Sequence, residues 1–249
     1  MKDGHAAPAD SVSSTATSKN VRDTKRELQR FVGRNPVLFS AVCRIKRDRR
    51  CVRRDTHLVI EGYPRSANTF SVWAFKQAQR EEFRVAHHLH YPAQVVCAAR
   101  WRIPTIVLIR EPEDAITSWL IRDPQPMDRA IEHYVSFYKA VAAHRNACVL
   151  ASFEEVTTDY GAILERVNQK FGTSFSTFSH TEENVNRVYS RIEEMHKKRN
   201  AGGISETRIA RPSAAKTEHK SRIKPALRAP GRKALLSEAT AIYEYLLRQ

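Results

Sequence analysis

No apolar run in this chain approaches the roughly 18 residues that cross a bilayer. The longest candidate, from Pro36 to Ile45, is short and interrupted, so a membrane-spanning protein is not expected. The first 20 residues are polar and hold no apolar core, which argues against a signal peptide. Cysteine is scarce: Cys43, Cys51, Cys97 and Cys148 are scattered, with no C-x-x-C pair and no partnered histidine spacing. Neither a zinc site nor a disulfide framework is expected, and a reducing cytoplasm fits this usage best. Cys97 and Cys148 sit in apolar stretches and read as small buried hydrophobes rather than nucleophiles. Aromatic residues make up only 8% and do not alternate with the basic clusters, so platforms for stacking nucleic-acid bases are not evident. Acidic residues are also in short supply, and 27 Asp and Glu against 42 Lys and Arg leave a net charge of +15. Such a field concentrates anions, whether a small ligand with several negative charges, nucleic acid, an anionic membrane surface or a sulfated polymer. Residues 1–56 carry much of it, with 14 Lys and Arg against 6 Asp and Glu, while the centre of the chain is nearly balanced.

What is present is enough apolar residue, 41% of 249, for one domain with a sizeable core. Residues 1–20, rich in Ser, Thr and Ala, read as a disordered tail. Residues 21–56 read as a basic helical extension whose apolar positions (Leu28, Phe31, Val32, Val37, Leu38, Val42) pack on the edge of the fold. From residue 57 to 249 strands and helices alternate. Strands are expected at 58–61 and 103–109 and near 148–152, with a further short one near 83–86. Helices are expected at 69–80, 91–100, 113–121, 127–145, 160–171, 184–198 and 233–247. That alternation predicts an α/β three-layer sandwich around a mostly parallel sheet, like that of the P-loop NTPases. Residues 199–232, rich in Gly, Ser, Pro and cations, read as a long basic loop.

The segment His57-Leu-Val-Ile-Glu-Gly-Tyr-Pro-Arg-Ser-Ala-Asn-Thr-Phe70 reads as a buried strand turning directly into a helix. Such a turn leaves backbone N–H groups pointing at one spot, at the positive end of the helix dipole, where an anion satisfies them together. Gly62 to Thr69 has the eight-residue length of G-x-x-x-x-G-K-[ST], yet Ala67 stands for the second Gly and Asn68 for the phosphate-binding Lys. The cation has moved to Arg65, which points to an anion other than a Mg-bound triphosphate. Ala67 is expected to need no left-handed backbone. A second strand, Ile103 to Ile109, runs into Arg110-Glu-Pro-Glu-Asp-Ala-Ile-Thr-Ser118, with Pro112 suited to a first helical turn. Arg110 and Ser118 thereby come to the sheet edge where open parallel sheets bind ligands.

Together these motifs resemble the signatures of sulfotransferases that use 3′-phosphoadenosine-5′-phosphosulfate, PAPS. Tyr63-Pro-Arg-Ser-Ala-Asn-Thr-Phe70 is similar to the family's 5′-phosphosulfate loop, Y-P-K-S-G-T-T-W. Arg110 and Ser118 match its 3′-phosphate pair, and Ala151-Ser-Phe-Glu-Glu-Val156 its S-Y-E-D segment. The resemblance covers residues 57 to 172. It implies PAPS as sulfuryl donor, an acceptor hydroxyl or amine, no metal, and donor contacts from Arg65, Ser66, Ala67, Asn68, Thr69, Phe70, Arg110 and Ser118. A late basic segment folds over the 3′-phosphate in this family, which makes Arg211, Lys216, Arg222 and Lys224 candidates here. His90-Tyr91-Pro92 fits the family's K-x-H-L-P, so His90 is the first choice for the catalytic base and His88 the second, with Arg65 supplying charge on the leaving side. A membrane-anchored Golgi-type enzyme is disfavoured by the missing anchor. Two other readings stay open: a P-loop kinase or hydrolase, opposed by Asn68 and by Arg110 at a strand end, and a basic nucleic-acid binder without catalysis.

Overall fold

The computed structural model describes Thr24, residues 27–211 and residues 214–248. The tail at 1–20 lies outside the described residues, as does part of the basic extension. Residues 27–34 form α1 and Pro36–Lys46 form α2. The break between them is chemical: the Asn35 side chain accepts from the N–H groups of Val37 and Leu38, and Pro36 occupies the first helical turn. Of the positions the apolar pattern suggested, Val32 packs against the core, but the fully buried contacts come from others. Phe39 and Cys43 are buried, whereas Leu28, Phe31, Val37 and Ile45 are exposed. The cysteine expectation is corrected as well: Arg47, left-handed at the end of α2, turns the chain so that Cys43 and Cys51 pair in a disulfide, Cα atoms 5.9 Å apart. Cys97 and Cys148 are buried and free.

Four strands, β1 (Leu58–Gly62), β2 (Val85–His87), β3 (Thr105–Ile109) and β4 (Val149–Ser152), form one sheet in the order β2-β1-β3-β4, every pair parallel. Their carboxyl ends therefore meet at one edge. Helices follow each strand: α3 (Asn68–Ala78), α4 (Pro92–Arg100), then α5 (Pro112–Arg122) with α6 (Met127–Ala142), then α7 (Phe153–Thr158) with α8 (Tyr160–Phe171). The chain ends in α9 (Glu182–Arg199), α10 (Ala214–Leu227) and α11 (Lys233–Leu247). Strand residues alternate between two cores, as the period of two requires. Leu58, Ile60, Ile106 and Leu108 pack under α3, α8 and α9, while Val107 and Ile109 pack under α5, α6 and α11. Val59 and Ala86 join α2 and α4 in a third cluster. Helices on both faces of a parallel sheet make the expected three-layer α/β architecture. Helix α10 corrects the loop expected at 199–232: half of that segment is helical and packs against α5.

Gly62 sets the exit from β1. A Cβ there would lie 2.4 Å from the Leu108 carbonyl oxygen, so only glycine lets the two central strands stay paired as the chain turns.

Candidate active site

The turn after Gly62 is tied down from below. Tyr63 is fully buried, its hydroxyl donates to the Ala130 carbonyl at 2.9 Å, and its N–H donates to the Tyr138 hydroxyl at 3.3 Å. Tyr138 in turn donates to the Leu108 carbonyl at 2.7 Å, and Tyr134, one helical turn earlier, donates to the Arg110 carbonyl at 2.7 Å. One face of α6 thus holds the ends of both β1 and β3. Asn68, at the position of the P-loop lysine, is buried and donates to the Tyr63 carbonyl at 3.0 Å. Its amide nitrogen closes the loop, while Oδ1 has no hydrogen-bond partner among the described residues.

Ala67 departs from expectation: its φ is +65°, left-handed, as is that of Arg65 at +73°. The chain adopts in this loop the conformation for which glycine is the easy residue. The reward is geometric. Two left-handed residues in succession around Ser66 aim the start of α3 at the sheet edge, and no side chain caps that helix. Ala67, Asn68, Thr69 and Phe70 all line a cavity of about 520 Å³, so the first-turn N–H groups lie beside it.

The second motif meets the first there. Pro112 opens α5 as expected, with Glu111 accepting from the N–H groups of Glu113 and Asp114. Arg110 donates to the Arg65 carbonyl at 3.2 Å, and Arg65 Nε donates to Ser118 Oγ at 3.0 Å. The Arg110 guanidinium lies 3.8 Å from the centre of the Phe153 ring, which accounts for an aromatic at that position. Ser152 precedes it as an N-cap in a reciprocal capping box with Glu155. Arg110 Nε is buried with no hydrogen-bond partner among the described residues. Of the residues expected at the site, Arg65, Ala67, Asn68, Thr69, Phe70, His88, His90, Arg110 and Ser118 all line the one cavity; Ser66 is fully buried behind it.

Sequence reading missed how the late segment completes the wall. Arg65 donates to the Ile209 carbonyl at 3.2 Å and the Arg208 carbonyl at 3.5 Å, and Ile209 is anchored in the core. Lys216 donates to the carbonyls of Ile209 and Arg211 and, with Lys220, faces the cavity from α10. Of the late candidates, Arg211 also lines it but pairs with Glu193 and Glu206. Lys224 pairs with Asp114 at 2.9 Å, and Arg222 pairs with Glu218 on the exposed face, away from the cavity. Arg122, also missed, contributes a sixth cation. A signal for it exists: Asp114, Ser118 and Arg122 recur every four residues, one stripe along α5, and Lys216, Lys220 and Lys224 form the facing stripe on α10.

The electrostatics follow. Arg65, Arg110, Arg122, Arg211, Lys216 and Lys220 line the cavity, and no carboxylate among the described residues does. Burial, followed by Arg122 and Arg110, lowers Arg65 to about 10. Burial, followed by Arg65, brings Lys216 down to about 7. Asp114, outside the lining, is the counter-charge: burial opposes its ionisation, but Lys224, Lys220 and Arg110 together hold its carboxyl below the usual range.

The histidines stand across the loop. His90 Nδ1 contacts the Gly62 carbonyl at 2.7 Å, which fixes the proton on Nδ1 and leaves Nε2 as the basic atom. His88 has both nitrogens engaged, Nε2 with Thr69 Oγ1 at 3.0 Å and Nδ1 with His87 Nδ1 at 2.8 Å. Both histidines have left-handed backbones. Their turn hangs on Glu61, another residue missed: fully buried, it accepts from the N–H groups of Leu89 and His90 and from Gln94. Burial raises the Glu61 carboxyl to about 7 against those donors, and burial lowers His90 to about 4. Among the described residues no cluster of His, Cys, Asp or Glu could hold a metal ion, and no helix is long and apolar enough to cross a membrane.

No family profile and no curated protein matches the chain. Among solved structures, the chain is similar to a mouse sulfotransferase, SULT7A1, complexed with PAP, at 14% identity and a TM-score of 0.45, over 76% of this chain and 90% of that one.

Proposed function

We propose that the chain is a sulfotransferase that moves a sulfuryl group from PAPS to an acceptor hydroxyl or amine. The observation that carries this reading is one cavity lined by six cations and no carboxylate among the described residues, set against an uncapped helix start. That is a receptor for a compact ligand with several negative charges. The contact between the Arg65 turn and Arg110 supports a single ligand spanning both motifs, as a nucleotide with phosphates on both sides of its ribose would.

In this reading the loop amides and Arg65 hold the 5′-phosphosulfate, and Arg110, Ser118 and Lys220 hold the 3′-phosphate. The acceptor oxygen bonds to sulfur as the bond from sulfur to the 5′-phosphate oxygen breaks. Its proton passes to His90 Nε2, and adenosine 3′,5′-bisphosphate leaves with the electron pair. Positioning and fixed positive charge on the leaving side supply most of the rate. His90 is preferred to His88 because its Nε2 makes no hydrogen bond among the described residues, whereas both nitrogens of His88 are engaged.

Thermal shift tests the donor. Adenosine 3′,5′-bisphosphate at about 100 times its Kd should raise Tm by about 5–10 °C, and Arg110→Ala should abolish most of that rise. ATP with Mg2+ should do little. Stabilisation by ATP and Mg2+ alone would return the chain to the kinases and hydrolases.

A further inference from the structure

A second cavity, of about 680 Å³, opens on the far side of the histidine turn and shares Thr69, His88, His90 and Arg122 with the first. If the first holds the donor, this one receives the acceptor, since His90 stands at the boundary. Apolar and aromatic side chains such as Trp73, Trp119 and Ile192 share its lining, but the charged part is one-sided. Arg30, Arg50, Lys76, Arg122, Arg199 and Arg208 line it, and Asp123 is the one carboxylate there among the described residues. Arg50 is neutralised by Asp48 at 2.7 Å. The other five cations form no ion pair among the described residues, and burial and neighbouring Arg208 outweigh Asp123 in disfavouring the charge on Arg122. They come from four separate elements, α1, α3, α5 and the α9 end with its following segment, so no single helix face explains their convergence.

From this lining we infer that the acceptor is itself an anion: a hydroxyl compound bearing carboxylate, phosphate or sulfate groups, held by the unpaired cations while its hydroxyl faces His90. This rests on the sulfuryl-transfer reading above. A neutral phenol or sterol would bring these cations, the half-buried Arg30 among them, no counter-charge in place of the water it displaces, which opposes binding. An anionic acceptor supplies the missing counter-charges and is drawn toward the pocket from solution. The acceptor hydroxyl forms its bond to sulfur, its proton goes to His90 Nε2, and the bisphosphate departs.

The test uses the full chain, PAPS, and four acceptors: an unsulfated glucuronate-containing disaccharide, a sugar phosphate, neutral cellobiose and neutral 2-naphthol. At least one anionic sugar should be sulfated with a kcat/KM ten or more times that of either neutral compound. Which anionic sugar wins distinguishes carboxylate from phosphate recognition. Raising the salt should erode the preference. The double substitution Lys76→Glu/Arg199→Glu, at two exposed positions that line only this cavity, should cut that kcat/KM at least tenfold. The thermal shift by adenosine 3′,5′-bisphosphate should persist in that variant, which also reports that it folds. Equal use of neutral acceptors, or an unchanged rate in the variant with the shift intact, overturns the anionic acceptor and leaves the sulfotransferase reading standing. Loss of any bisphosphate shift in the unaltered chain overturns both.

Discussion

Arg65, Ala67, His88 and His90 are all non-glycine residues with positive φ, and all four line the same cavity. Each such residue costs on the order of 1 kcal/mol, and strain of this kind gathers where geometry matters more than stability. Ala67→Gly should relieve it at the cost of one methyl packed against the core, for a net gain of about 0.5 kcal/mol in chemical denaturation. An unchanged midpoint would mean that the left-handed loop is not adopted. His90 is the more consequential position. Asn tolerates the left-handed region, so His90→Asn preserves the turn while removing the base. It should lower kcat by about 10²-fold or more and leave the bisphosphate shift intact, and full turnover would move the assignment to His88.

Between elements, the decisive contact is that of α5 with α10. Their facing stripes put Asp114 within 3.6 Å of Arg110, 3.4 Å of Lys220 and 2.9 Å of Lys224. One carboxylate moderates three cations that otherwise repel, and a bound anion does the same work. Asp114→Asn should therefore lower the Tm of the free protein by a few degrees, about 1 kcal/mol for a partly exposed pair, and should enlarge the rise produced by adenosine 3′,5′-bisphosphate. A smaller rise would show that Asp114 acts by shaping the donor site and not by balancing its charge. The other element-scale device, the Tyr134 and Tyr138 pair on α6, fixes the strand ends by neutral hydrogen bonds and so adds no charge beside a cavity lined by cations.

Across the whole molecule, half-buried histidines set the response to acid. Burial first, then neighbouring cations, lowers His87 to about 4; burial lowers His90 to about 4 and His133 to about 3, and His88 lies well below its ordinary value. A base with a depressed folded value contributes stability that is complete above the unfolded value of about 6.5 and is lost as pH falls through the window down to about 4. Glu61, raised to about 7, has the opposite sign and gains stability over part of that window, but it is one group against four. The Tm should fall by about 5 °C or more between pH 7 and pH 5. A flat or rising Tm across that interval would mean that these imidazoles are solvated.

Much of the sheet was legible in the chain itself. The runs Leu58 to Ile60 and Ile103 to Ile109 are largely apolar on both faces because they are covered on both faces, and Pro112 marks a helix start by its fixed backbone. The two strand-to-helix turns were legible for the same reason, since a strand running straight into a helix exposes amides whatever surrounds it. The conformation of Ala67 was not, because a left-handed alanine is paid for by contacts such as that of Asn68 with Tyr63, which residue type does not reveal. Nor were the Cys43–Cys51 pairing, the carbonyls of Arg208 and Ile209 on Arg65, or the choice among late cations. Local sequence determined where amides and cations would be offered. Only tertiary packing decided that Arg122 from α5, Lys216 and Lys220 from α10 and the His88 to His90 turn would face one space, because charge imbalance is a property of what surrounds a cavity and not of any segment that lines it.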